Sequence, residues 1–325
     1  MPSFIDLFCG IGGIRLGMEA QGFECVMSSE IDKDCRETYA ANFKEAPLGD
    51  IRSIRAEDVP DHDILCAGFP CQPFSISGLK KGFGDTRGTM FFEICRIAEK
   101  KRPEVIFLEN VKNLIYHDGG RTFDVIVRSL EGLGYTVSWD ILNAVDFGLP
   151  QNRERVFIAA CRGRKFDFGR IGRKERRTIE DILDTEGDFE YLDPSEYTLL
   201  PSPAQNPGSG LIFAGYRNRP ARKNGVRPGT LHLSRAHKQP NRIYSSLGTH
   251  PALSSQETSG RYYILTQDGR VRKLTLNECW KLMGFPKEFI KTASKSGQYR
   301  QTGNSVCVPV ITAIAEEMDR QLFQD

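Results

Sequence analysis

The sequence predicts an α/β protein with a doubly wound, mostly parallel sheet and a smaller, irregular second domain. Three observations predict it. Short apolar runs alternate with helix-period segments over the first 160 residues, a glycine-rich turn follows the first run, and the alternation stops near residue 162. Alternating strand and helix implies right-handed crossovers and parallel neighbours. The expected strands are residues 3–8, 24–29, 63–67, 104–108, 136–142 and 155–160; the expected helices are 14–21, 33–42, 89–100 and 122–133. Ligands of such sheets sit at the carboxyl ends of the strands, so chemistry is sought there.

Beyond residue 162 the texture changes. Residues 162–177 are dense in Lys and Arg, and residues 197–256 contain no Asp or Glu but eight Lys or Arg and three of the five His. Helical periodicity returns near residues 274–283, and a last helix is expected over 308–323, packed back on the first domain. The net charge of +2 announces no polyanionic partner by itself, so this local distribution carries the signal. The nine cysteines are scattered, without a CxxC pair, so no metal set is expected. No basic leader and no long apolar run is present, and the expectation is a reduced, cytoplasmic protein.

The run Phe4–Phe8 leads into Cys9-Gly10-Ile11-Gly12-Gly13, where glycines allow positive φ and close approach to a ligand. Arg15 stands where a pyrophosphate-binding turn has its third glycine, which disfavours a dinucleotide site. Glu30 ends the second strand and can accept ribose hydroxyls; Asp50 ends a third segment and can accept from an adenine amino group. After the strand at 63–67, Cys71 is flanked by Pro70 and Pro73, a rigid setting for a thiolate nucleophile. Residues 75–88, with Ser77 and Arg87, read as a loop able to close over an anionic substrate. Glu109 follows an apolar strand, where desolvation lets a carboxyl hold a proton. Arg153 and Arg155 are two apart and are expected on one face of a strand, suited to a carbonyl oxygen, a phosphate or a neighbouring carboxylate.

Taken together, FIDLFCGIGG, GFPCQPFSISG, LENVKNL, NAVDFGLPQNRERVF, LTLNECWKLMGFP and QTGNSV, in this order, resemble the DNA (cytosine-5) methyltransferase family, above all its compact bacterial restriction–modification type. The resemblance implies S-adenosyl-L-methionine as cofactor and a cytosine flipped out of double-stranded DNA as substrate. It implies that Cys71 attacks C6, Glu109 serves N3, Arg155 binds O2 and Arg153 supports the site. Phe8, Gly10, Gly12, Gly13, Glu30, Ile31, Asp50, Ile51 and Pro70 would line the cofactor pocket, with Asn304 and Ser305 closing it. Residues 1–183 with 304–325 would be catalytic, 184–265 a target-recognition domain, and 266–303 a connecting hinge. Ser77, Arg87, Arg217, Arg235, Gln239, Asn241 and Arg242 would meet DNA. A monomer working beside a restriction endonuclease is the expectation. A transfer-RNA cytosine methyltransferase is the rival within this chemistry, disfavoured by the long acid-free insert; a non-catalytic repressor and a nucleotide-dependent oxidoreductase are rivals outside it.

Overall fold

The computed structural model describes residues 1–70, 90–219, 229–255 and 262–324. The chain forms two compact units, Met1–Leu142 with Glu154–Gly172 and Val310–Asp325, and Asn143–Arg153 with Arg173–Pro309. The helices are α1 (Gly13–Glu19), α2 (Lys33–Phe43), α3 (Met90–Lys101), α4 (Arg121–Gly132), α5 (Leu276–Met283), α6 (Lys295–Asn304) and α7 (Val308–Met318).

In the first unit, β1 (Ser3–Leu7), β2 (Glu24–Ser29), β3 (Ile64–Ala67), β4 (Val105–Val111), β5 (Thr136–Asn143) and β7 (Glu154–Cys161) form one sheet in the order β2-β1-β3-β4-β7-β5; the short β6 (Gln151–Asn152) belongs to the second unit. β1 is parallel to β2 and β3, and β3 to β4. All four residues of β3 are buried, because helices cover both faces of a parallel sheet and leave no solvent side to alternate toward. Leu65, Ala67, Ile106, Leu108 and Ile158 pack with Phe91, Ile94 and Ile97 of α3 and Ile126 and Leu130 of α4. Ile311 of α7 lies against Gly17 of α1, so the last helix does return to this unit.

Two details differ from the sequence expectation. β7 runs antiparallel to β4, since the link from β5 is too short for a parallel crossover. That antiparallel pairing continues to Val111 opposite Arg155, so β4 runs past residue 108 and carries Glu109 and Asn110 within the strand. Asp32 caps α2 through the Cys35 N–H, and Lys44 ends it in a left-handed conformation.

In the second unit, β8 (Tyr197–Gln205), β9 (Ile212–Arg217), β10 (Arg242–Ser245), β12 (Tyr263–Leu265) and β13 (Val271–Lys273) form a sheet in the order β13-β12-β10-β9-β8, and β11 (His250–Pro251) pairs with β6. The basic stretch expected to be irregular is therefore built on strands. Ala214, Ile243, Tyr263 and Val271 form one apolar cluster and Phe213, Tyr244 and Tyr262 another; strands this short, set between Pro and Gly, show little period in the sequence. Residues 266–303 hold β13, α5 and α6 inside this unit, so the two units divide the chain at other places than the expected 1–183, 184–265 and 266–303. Thr275 and Glu278 form a capping box at the start of α5. The Glu278 carboxylate also accepts from Arg272 (2.7 and 2.9 Å) and from the Asp184 N–H (2.8 Å), with 3% and 0% of the Arg272 and Glu278 side chains exposed.

Candidate active site

Phe8 follows β1, and its φ of 57° is rare for a non-glycine residue and carries strain of about 1 kcal/mol or more. Cys9 N–H donates to the Ser29 carbonyl (3.0 Å), which ties the turn to the end of β2. Gly10 and Gly12 follow at φ 56° and 87°. A Cβ on Gly12 would lie 2.3 Å from the Phe43 ring, whereas one on Gly10 meets no atom within 4 Å. Gly12 is thus required by packing, and Gly10 leaves its outer side open to a ligand; Gly13, buried, begins α1.

Glu30 lies just past β2. Its Oε2 accepts from Gly10 N–H (2.9 Å) and its Oε1 from Asp32 N–H (2.8 Å). A carboxylate has about four acceptor positions, so both oxygens can still receive ligand hydroxyls. Ile31, next in sequence, is 68% exposed. Leu48 N–H donates to Ser28 O and Ser29 Oγ to Gly49 O (each 2.8 Å), which sets Asp50 and Ile51 beside the same strand end. Asp50 caps the turn Ile51–Ser53, and its hydrogen bonds from Arg52 hold its carboxyl below the usual carboxylate range. The turn, Glu30 and the Asp50 segment form a cradle whose acceptors suit an adenosine group.

Beneath the turn lies a feature that sequence reading missed. Asp6, inside β1, is fully buried, and no side chain hydrogen-bonds its carboxylate. Burial pushes it up to about 8, opposed by the Arg15 guanidinium. Arg15 itself is 8% exposed, bonded to Tyr39 Oη (3.0 Å) and Glu19 (2.7 Å) and stacked over Phe43. The residue that departs from the dinucleotide pattern therefore locks α1 to α2. The available signal was a lone Asp in an otherwise apolar strand.

The second group gathers at the carboxyl ends of β3 and β4. Glu109 Oε1 pairs with Arg155 Nε at 3.2 Å, with 13% and 18% of the side chains exposed. Glu109 stands opposite Phe157, two residues from Arg155, so the pair is diagonal across an antiparallel ladder and shares one face. Of the partners the sequence left open for the arginines, Arg155 takes the neighbouring carboxylate. Glu109 Oε2 is 3.6 Å from where a Cβ of Gly68 would stand. Asn110 Nδ2, buried, donates to Phe69 O (2.7 Å). The strand bearing the carboxylate thus fixes the backbone leading to Pro70, which is exposed. Cys71, Ser77 and Arg87 lie outside the described residues.

Arg153 does not share a face with Arg155. The chain leaves strand geometry at Arg153, whose N–H donates to Gln151 O and Asn143 Oδ1 (each 3.0 Å). Its buried guanidinium points within the second unit, to the carbonyls of Leu253 (3.0 Å), Gly303 (2.9 Å) and Ser305 (2.7 Å). Asn304 ends α6 and Ser305 caps it, so Arg153 braces the segment expected to close the cofactor pocket. Of the residues expected at DNA, Arg217 pairs with Glu196 (3.4 Å), Arg242 donates to His237 O (3.1 and 3.2 Å), and Gln239 accepts from Tyr262 Oη (3.1 Å). Arg235 is exposed, and Asn241 ends a short turn partly buried.

A family model described as C-5 cytosine-specific DNA methylase matches residues 2–320. The chain is 44% identical over 336 aligned positions to the Type II methyltransferase M.NlaX of Neisseria lactamica, covering 99% of this chain and 97% of that protein. It is 39% identical over 329 positions to the Type II methyltransferase M.HhaI of Haemophilus parahaemolyticus, covering 98% and 94%. Among solved structures, the S. pombe Dnmt2 methyltransferase superposes with a TM-score of 0.69 at 21% identity, covering 99% of this chain and 100% of that one, a likeness of fold. No helix among the described residues is long and apolar enough to cross a membrane. The chain belongs to the C-5 cytosine-specific DNA methylase family and is an S-adenosyl-L-methionine-dependent DNA cytosine-C5 methyltransferase.

Proposed function

We propose that this enzyme methylates one cytosine within a specific double-stranded DNA sequence, with Cys71 as nucleophile, Glu109 and Arg155 on the flipped base, and Arg153 as a brace. The observation that carries this reading is the Glu109–Arg155 pair, set against Gly68 and joined through Asn110 to Phe69, two residues before Cys71. Cytosine C5 is too weakly nucleophilic to be alkylated unaided. Addition of the Cys71 thiolate to C6 makes C5 enamine-like, and Glu109 offsets the charge that develops at N3. In this reading Arg155 shares its guanidinium between Glu109 and the base O2. The cofactor supplies the methyl group on a sulfonium. Loss of the C5 proton and departure of Cys71 restore the ring. C6 is shielded in a stacked duplex, so the base must leave the helix, at a cost of a few kcal/mol.

Phe8, Gly10, Gly12, Gly13, Glu30, Ile31, Asp50, Ile51 and Pro70 hold the cofactor in this reading, Glu30 at the ribose and Asp50 at the adenine amino group. Asn304 and Ser305 complete its site. The open acceptor positions of Glu30 and the exposed side chain of Ile31 support these roles. Within the second unit, residues 184–265 read the DNA sequence, and 266–303, which carry β13 at the edge of its sheet, connect them to the rest of the chain. Ser77, Arg87, Arg235 and Asn241 contact DNA, whereas the internal bonds of Arg217, Gln239 and Arg242 favour shaping that surface. The enzyme acts as a cytoplasmic monomer of a bacterial restriction–modification system beside an endonuclease, a reading supported by relatives named Type II methyltransferases.

Cys71→Ser is expected to abolish methylation while DNA binding survives, measured by bisulfite sequencing of plasmid and by gel shift. The wild-type enzyme is expected to form a denaturation-resistant adduct with DNA carrying 5-fluorocytosine at the target, because fluorine blocks elimination. Near wild-type methylation by the serine variant, or no adduct, overturns the assignment.

A further inference from the structure

We propose that Arg96 is a positioning residue for cofactor binding, acting through the backbone of the turn that follows Asp50. Arg96 lies in the middle of α3. Its Nε donates to Glu93 Oε2 (2.8 Å), which aims the guanidinium, and its NH2 donates to the carbonyls of Ile51 (3.2 Å) and Ile54 (2.9 Å). The turn Ile51–Ser53 is therefore held at both ends. Asp50 caps its start through Arg52 N–H (3.0 Å), and Arg96 binds carbonyls at its first residue and just beyond its last. Ile51, 2% exposed, packs in the same apolar cluster as Phe91 and Ile94 of α3. On the β2 side the Leu48 and Ser29 hydrogen bonds hold the approach to Asp50, whereas the Arg52 and Arg55 side chains are exposed and pair only locally with Asp50 and Asp58, so the tie to α3 is made by Arg96 and the buried Ile51.

The Ile51 carbonyl also accepts from the Ile54 N–H (3.2 Å), so Arg96 adds a second donor there and ties both carbonyls to α3 through one nitrogen. The planar guanidinium, aimed by Glu93, holds this geometry better than a flexible lysine would. Removing the guanidinium loosens the turn from α3 and lets the Asp50 carboxylate shift relative to the end of β2. The inference rests on the proposed contact of Asp50 and Ile51 with the cofactor.

The test is isothermal titration of the folded full-length enzyme with S-adenosylhomocysteine, without DNA, together with steady-state methylation. Arg96→Ala is expected to weaken S-adenosylhomocysteine binding about tenfold and to raise KM for the methyl donor by a similar factor, with kcat within twofold. Arg96→Lys is expected to recover part of the loss. Arg128→Ala, which removes an exposed pair with Asp124 on α4, serves as a control and leaves both constants unchanged. Asp50→Ala is measured in parallel. If Asp50→Ala weakens binding and Arg96→Ala, still folded, does not, the role of Arg96 is overturned and the cofactor site stands. If Asp50→Ala itself binds normally, the underlying assignment of Asp50 fails and the inference falls with it.

Discussion

Two arginine–glutamate pairs, one in each unit, show how the same chemistry serves different ends. In the second unit the Glu278 carboxylate receives both Arg272 nitrogens, the Thr275 and Asp184 N–H groups, and almost no solvent. Its acceptor positions are filled from within the protein. In the first unit Glu109 meets Arg155 through Nε at 3.2 Å, at the end of two strands, and both side chains keep some exposure. The saturated pair has nothing left to offer a ligand, and its value is structural. The Glu109–Arg155 pair keeps part of each side chain exposed where a substrate would arrive. Exposure separates the two pairs: 13% and 18% of the Glu109 and Arg155 side chains against 0% and 3% of Glu278 and Arg272.

The sharpest way to break this comparison is to remove charge from each pair. Glu109→Gln is expected to lower turnover by about 100- to 10,000-fold, the usual worth of a general acid or base, while the thermal midpoint changes little. Single-turnover methylation and thermal melting check it, and a variant that loses stability but keeps turnover would reverse the two roles. Glu278→Gln leaves the Arg272 guanidinium buried without its counter-charge. It is expected to cost about 3–5 kcal/mol in urea unfolding. Any protein that stays folded at low temperature should turn over normally.

Asp6 extends the comparison to a fully buried carboxyl on which Arg15 acts through its charge and its backbone N–H. Its folded form holds its proton up to about 8, whereas the ordinary value is 3.8. Between those values the unfolded chain binds fewer protons, so this group's contribution is full below about 4 and is lost as pH rises toward 8. Asp6→Asn should flatten that decline by roughly 1–3 kcal/mol, seen as a stability gain over wild type at pH 8 that shrinks at pH 5. Equal effects at both pH values would show that Asp6 does not titrate in this range. The smallest change belongs to Lys112–Glu154, a pair at 2.8 Å with about two-fifths of each side chain exposed. Lys112→Met should cost under about 1 kcal/mol, less still in high salt, because solvent screens it.

The fold of the first unit was legible because its signals are local. Apolar runs such as Ile64–Ala67 and the helical spacing of Phe91, Ile94 and Ile97 are set by neighbours in the chain. Glu30 and Gly10, twenty residues apart, were legible as a pair because strand ends converge in such sheets, and a 2.9 Å hydrogen bond joins them. Arg153 was misread for the opposite reason. Its spacing from Arg155 implies a common face, but the break before β7 sends it to carbonyls 100 to 152 residues away.

By itself the sequence determined the α/β class, the glycine turn, the acids at strand ends and the motif set that marks the methylase family, since each depends on residues close together or in fixed order. Only the tertiary structure decided that β7 inserts antiparallel beside β4, that Arg155 rather than Arg153 faces Glu109, that a five-stranded sheet underlies the basic stretch, and that Arg96 holds the Asp50 turn. These are choices among partners distant in the chain. Hydrophobic period cannot make them, because it says which side of an element is buried and not what it is buried against.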